Sequence, residues 1–500
     1  MSSQISASKI KVGNAEIIST GTSIDLPAGS KVGGTTINTL VYTGLEDTST
    51  AGGKDALLGN TDNSNTAFGS NALKSSNTSQ STAVGNNSLL NCQGDSNLAI
   101  GLSALSNISS VDGVSNVAIG NAALIINRSG ARNIAIGHTT LNWNTTGSYN
   151  IAIGDNAAPM SNVNGCIAIG RDTLRYNTTK QIMAIGYRAA YNNSLGEDNI
   201  AIGHQACYEG TIGNNNTAVG WQALYANTSG SNNTAVGWRA GSTAGSYDNN
   251  TSVGCNAAYQ NTASNITAIG YQALSVNIGI NNTAIGYSVL GANIGGSNNT
   301  GVGYNSLLVN TTGTNNTAFG SNTLTNNVSG DFNTAIGSNS LAQLSISNKI
   351  HNTSIGYDSL KSNQANFNTA IGSGALESVN SGIRNTGIGY LAGETIASTG
   401  TLNTCIGANA DVDITTSLNR IAIGANATAT LDNTAVIGDN SVAQVFAGNG
   451  NVLAGVVTGT STPVESVVPD YIGQIFINTS ATTVYIAAGL ANTNWVLLNS

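Results

Sequence analysis

Asn216-Thr-Ala-Val-Gly220 is answered, one period on, by Asn233-Thr-Ala-Val-Gly237. The same phrase, with small variations, returns in 22 copies from Asn65 to Gly424. The mean spacing is about 17 residues, and so short a fixed period is the mark of stacked supersecondary units. Each unit buries its apolar side against the next. The question is therefore what a long stiff stack does, more than which reaction a pocket catalyses.

With the phrase glycine numbered zero, position −1 is Ile, Val or Phe in every copy and position −2 is always small. Position −4 is Asn in 17 of the 22 copies, and most continue after the glycine with a small residue and then Leu, as in Ala72-Leu73. Successive strand residues face opposite sides, so both faces of the phrase are restricted. One face is expected to fill the coil's own interior, and the other to meet something at close range. Ile136, Ile153, Val219 and Ile285 stand for the large residues at −1. Gly137, Gly154, Gly220 and Gly286 are expected to mark a backbone corner with positive φ, or an approach that a Cβ would obstruct.

A helix is excluded, because Gly recurring in every unit costs about 0.5–1 kcal/mol per copy relative to Ala. The unit reads as strand, corner, second short strand and polar loop. Stacked in register, the asparagines at −4 lie about 4.8 Å apart, close enough for an amide ladder. The prediction is an all-β parallel solenoid of about 22 rungs over 61–440, on the order of 100 Å long at that rise. Flanking it are a β-rich attachment or capping segment over 1–60, with strands at Ile10–Val12, Glu16–Ile18 and Val41–Tyr42, and a β-hairpin module over 441–500.

Composition supports this and narrows function. The chain has 71 Asn and 61 Gly in 500 residues, only 8% charged residues and a net charge of −8. Sparse, scattered Lys and Arg offer no footprint for phosphate contacts, so no nucleic-acid partner is expected. The five cysteines show no metal or disulfide spacing and read as free thiols acting as small hydrophobes. His138, His204 and His351 lack ligand spacing. There is no nucleophile elbow and no P-loop. No cofactor, no metal and no catalytic residue is expected, and the chain reads as no enzyme. No apolar run of about 18 residues suggests a membrane span, and the stretch Met1–Val12 lacks the features of a secretory signal.

At position +1, eight consecutive units carry Tyr187, His204, Trp221, Trp238, Cys255, Tyr271, Tyr287 and Tyr304. In register these side chains form a column. Exposed, it is a candidate surface for stacking on sugars or another ligand. The alternatives are that the rings stack on one another or seal a subunit interface.

The phrase resembles the repeat of trimeric autotransporter adhesin heads, most closely over Arg420-Ile-Ala-Ile-Gly-Ala-Asn-Ala-Thr-Ala-Thr-Leu-Asp-Asn-Thr-Ala-Val-Ile-Gly438. The resemblance implies a left-handed β-roll in a homotrimer, with the small face at −2 near the three-fold axis. Pro469-Asp-Tyr-Ile-Gly-Gln-Ile-Phe-Ile-Asn478, Thr483-Val-Tyr-Ile-Ala487 and Trp495-Val-Leu-Leu498 are similar to terminal modules of phage and large-virus fibres. Together these imply a virion fibre for host attachment, with a host glycan or receptor and a virion protein at the N-terminal segment as partners. An extracellular or virion-surface location follows from the same resemblance. The other readings are an ice- or ligand-binding solenoid, for which Thr at −3 from Thr217 onward is the suggestive feature, and a cellular surface adhesin.

Overall fold

A computed structural model describes residues 49–439, apart from 61, 161, 179–180, 244, 344–348 and 398, together with short strands near both ends. The fold is an all-β parallel solenoid of about 22 turns with a repeat near 17 residues, and no helix occurs among the described residues. The chain divides into two compact units after Asn333.

In the first unit, three-residue strands run in a parallel ladder from Thr50–Gly52 to Thr317–Phe319. Register is residue on residue, so Ile134, Ala135 and Ile136 lie beside Ile151, Ala152 and Ile153. The ladder starts one coil before the first recognisable phrase, because Thr50-Ala51-Gly52 pairs with Thr66–Phe68 although it lacks the aliphatic side chain at −1. The predicted strands Ile10–Val12 and Glu16–Ile18 are present as the antiparallel pair Lys9–Val12 and Ala15–Ser19. Val41–Tyr42 lies outside the described residues.

The interior reverses the placement of the two faces that the resemblance implies. Ala118, Ala135, Ala152, Ala218 and Ala284 at −2 are completely buried. Side chains at −1 point outward: Ile136, Ile153 and Val219 are half-buried, and Ile285 is 37% exposed. The reason is space. The coil is narrow, and its interior is already filled from the opposite wall by the leucine at +4, as with Leu124, Leu141 and Leu274, all fully buried. Only a small side chain fits facing them, Ala in most coils and Ser252, Ser354 or Cys405 in others.

Those leucines sit at positive φ, 48° at Leu141 and 48° at Leu274. A left-handed conformation costs about 1–2 kcal/mol per residue. Burying a leucine side chain returns about 1.5–3 kcal/mol, so the conformation is sustained by what it packs. Alternating left-handed residues turn the chain where a second strand was expected. Among the described residues of this unit, second strands occur only at Gln260–Asn261, Val276–Asn277 and Ala292–Asn293.

The asparagine ladder is present. Asn133 Nδ2 donates to Asn116 Oδ1 at 3.1 Å and to the Gly147 carbonyl at 2.8 Å, while the Asn133 N–H donates to Asn116 Oδ1 at 2.9 Å. One buried amide thus satisfies the groups of three successive coils. Where Cys166 replaces Asn, its N–H still donates to Asn150 Oδ1. A second, unforeseen ladder runs at +7. Asn277 Nδ2 donates to Asn261 Oδ1 at 2.7 Å, and Asn310 Nδ2 to Asn293 Oδ1 at 2.9 Å.

The phrase glycines behave as expected, with φ between 129° and 139° from Gly53 to Gly320. A Cβ on Gly154 would lie 2.6 Å from the Gly170 carbonyl oxygen of the next coil. Coils approach through these glycines more closely than any side chain permits.

In the second unit the same ladder runs from Thr334–Ile336 to Ala435–Ile437, and its last coil is shorter, with Ile421 already beside Ala435. Arg420 takes the −4 place at 3% exposure. Its guanidinium pairs with Asp432 and Asp413 and donates to the Ala429 carbonyl. A charge can be held there because it is matched on all sides. The predicted terminal strands occur as Ile475–Asn478, Thr483–Ala487 and Trp495–Leu497, joined by Val456–Gly459 in a four-stranded sheet. Among the described residues, no helix is long and apolar enough to cross a membrane.

All five cysteines are free. Burial pushes Cys92 and Cys405 up to about 12 and Cys207 up to about 11, and raises Cys166 as well. Only Cys255 is partly exposed. Since the thiolate is the reactive form, an aromatic disulfide reagent at pH 8 is expected to titrate one thiol per folded chain and five after denaturation. Two or more fast-reacting thiols in the folded protein would contradict the buried placement.

Candidate functional site

The phrase glycine turns the chain outward at +1, and in-register stacking brings the +1 side chains of successive coils together. Tyr187, His204, Trp221 and Trp238 form one continuous stack. Ring centroids are 5.1 Å apart from Tyr187 to His204, 6.2 Å from His204 to Trp221 and 5.2 Å from Trp221 to Trp238. Cys255 interrupts it. Tyr271, Tyr287 and Tyr304 then form a second stack at 5.1 and 5.2 Å.

This geometry decides what the column offers. The two tryptophans are within 9° of parallel, and the tyrosine pairs within 16° and 17°. Each ring therefore covers its neighbours' faces. Outward-facing parts are edges and polar tips, with Trp238 43% and Tyr304 51% exposed. A sugar that stacks on an aromatic face finds the faces inside each run already occupied.

A parallel column at +5 was not anticipated. Tyr191, Tyr208 and Tyr225 stack at 5.1 and 5.2 Å with interplanar angles of 10° and 5°. Tyr176 meets Tyr191 edge-on at 87° and ends the stack. Between the two columns, at position +2, lie Arg188, Gln205, Gln222 and Arg239. Arg239 Nε donates to Gln222 Oε1 at 3.2 Å, and Gln222 Nε2 donates to Gln205 Oε1 at 3.0 Å.

The arginines knit the columns together. The Arg239 guanidinium lies 4.8 and 4.6 Å from the Trp221 and Trp238 ring centres, and Arg188 lies 5.0 and 5.3 Å from those of Tyr187 and Tyr191. Each such contact is worth about 0.5–1 kcal/mol at an exposed site. The result is a ribbon four coils tall: aromatic, amide and guanidinium, aromatic. The signal for the missed column was present as Tyr at +5 in four units. It stood next to the recurrent Leu at +4 and read as the start of the polar loop.

The histidines do not converge. His138 Nδ1 is 3.1 Å from Asp155 Oδ1, and His351 stacks on Phe367 at 5.5 Å. Among the described residues no three His, Cys, Asp or Glu side chains are grouped closely enough to hold a metal ion.

A second surface comes from positions −1 and −3, which share the outward face of the parallel sheet. From Leu98 to Ile202 both positions are aliphatic or Met: Leu98, Val117, Ile134, Ile151, Ile167, Met183 and Ile200 at −3, over Ile at every −1. From Thr217 onward in the first unit position −3 is Thr while −1 stays apolar. Phe68, Ile100, Val236, Ile269 and Phe319 are 37–46% exposed on this face. No protein-family model matches the chain, and no curated protein matches it.

Proposed function

We propose that this protein is a non-catalytic, structural and adhesive fibre: a homotrimeric rod on a virus or phage particle that presents a surface for host attachment. The observation that carries it is the outward apolar sheet face. At a strand spacing of about 4.8 Å and about 7 Å between alternate side chains, each coil contributes roughly 35 Å². The seven coils from Leu98 to Ile202 carry apolar side chains at both positions, and nine of the other ten ladder strands of the first unit carry one at −1 alone, which gives about 400 Å², within the range of the largest, often functional, patch on an ordinary monomer.

What covers such a face must match its period coil for coil, and another copy of the same ladder does so along its whole length. The packing surface is accordingly the −1/−3 face, in place of the small face at −2 that the resemblance implies. The sequence resemblance sets the copy number at three. Attachment then works by multiplicity, since three chains presenting the same ribbon turn weak single contacts into avidity.

Light scattering after size exclusion tests this directly. The expected native mass is about three times 50.4 kDa, persisting in mild detergent. A monomer would remove the fibre reading. It would favour the ice- or ligand-binding solenoid, because the Thr column from Thr217 lies on the same exposed face, and thermal hysteresis of the monomer would then support that alternative.

A further inference from the structure

Below the ribbon, the +6 side chains of three successive coils are Trp143, Met160 and Tyr176. They border a cavity of about 240 Å³, also lined by Thr139, Asn142, Asn156, Pro159 and Arg175. Its origin lies in the middle coil. Pro159 stands there where the coils on either side carry the longer Asn142 and Arg175, so the wall is set back for one coil.

Two features of this recess point to a ligand. Trp143 is 60% exposed and, unlike Trp221 and Trp238, has no aromatic neighbour among the described residues, so a face of its indole is open. Two of the polar side chains beside it are engaged elsewhere: Asn156 Nδ2 donates to Asp172 Oδ1 at 2.8 Å, and the Thr139 hydroxyl donates to the His138 carbonyl at 2.8 Å.

The second feature is charge. Asp172 lies 2.8 Å from Arg175 Nη1, 3.6 Å from Arg171 Nε and 3.7 Å from Arg188 Nε. Three arginines face Asp172 and Asp155, leaving one positive charge over in a chain whose net charge is −8. Arg175, paired through Nη1 with Asp172, is the arginine of this cluster that lines the cavity. Guanidinium is the preferred partner of a carboxylate.

We infer that this recess binds one acidic pyranose of a surface glycan. The C–H face of the sugar lies on Trp143, and the carboxylate meets Arg175. The cavity suits a single ring, being smaller than the roughly 300–1,000 Å³ of pockets that take drug-sized molecules. This inference rests on the attachment role proposed above and names the ligand class that role would use.

The test is saturation-transfer NMR and calorimetry with 3′-sialyllactose and with lactose on the full chain. Millimolar binding of 3′-sialyllactose is expected, at least about ten-fold tighter than lactose and weakened by salt as a charge contact should be. Trp143→Ala is expected to abolish it, and Trp221→Ala, within the closed stack, to leave it unchanged. Trp143 is exposed, so its loss is tolerated by the fold; unchanged circular dichroism confirms this. No binding of 3′-sialyllactose, equal binding of lactose, or full binding by Trp143→Ala each overturns the inference. Light scattering on the same samples separates the two proposals: a trimer that binds no sugar sinks only the recess, and a monomer that binds sugar sinks only the fibre.

Discussion

Gly154→Val is expected to destroy the local coil, converting a single cooperative unfolding transition into two and exposing the chain near residue 154 to limited proteolysis. Two costs add at this position. The backbone holds φ at 135°, a region open essentially to glycine, and forcing a β-branched residue there costs about 1–3 kcal/mol. The new Cβ also lies 2.6 Å from the Gly170 carbonyl oxygen, and an overpacked site that must shift its neighbours loses about 1–3 kcal/mol more. Because each coil is held only by its two neighbours, the damage is not shared across the molecule; the stack parts at that coil.

Gly165→Ala separates the two causes. Gly165 also has positive φ, 74°, but nothing lies within 4 Å of its would-be Cβ. It is expected to lose only about 1–2 kcal/mol, the left-handed cost alone. If Gly154→Val melts like wild type, the close approach of coils through the phrase glycines is not what sets the stack.

The phrase glycines and the asparagines at −4 were legible from sequence because each does one job that few residue types can do. No Cβ fits between coils, and few side chains both accept from the next N–H and donate to a carbonyl beyond. The orientation of the strand was not legible, since small and large alternating positions are equally compatible with either facing. What decides it is coil width. A wide coil would take Ile inside, whereas this one, already filled by Leu124 or Leu141 from across, takes Ala118 or Ala135.

The +1 aromatic column was readable for the same reason as the ladder: a fixed offset from the glycine. The +5 column and the recess at Trp143 were not. Both depend on where the turn after Leu at +4 carries the chain. The aromatic stands at +5 in Tyr191 but at +6 in Tyr176 and Trp143, so no single offset marks it. The closure of the ring faces, which alters what the column can bind, arises from side-chain stacking at one coil's rise and has no counterpart in spacing alone.

Ile136→Glu combined with Ile153→Glu is expected to turn the trimer into a folded monomer. Both side chains leave the outward face of the sheet and neither fills the coil interior, so within one chain the cost is that of two half-buried side chains lost and two carboxylates set side by side, about 1–3 kcal/mol. In the trimer the same change places six carboxylates in the apolar seam, where an unpaired buried charge costs several kcal/mol. Ala135→Glu is the contrasting variant. Its side chain enters the fully buried interior and is expected to abolish folding of the coil whatever the oligomeric state. The informative pattern is therefore monomeric mass with native circular dichroism for the double variant, and lost β signal for Ala135→Glu. A double variant that still runs at about three times 50.4 kDa would show that the −1/−3 face does not join the chains. The apolar strip from Leu98 to Ile202 would then have to be covered by something other than a second copy of itself.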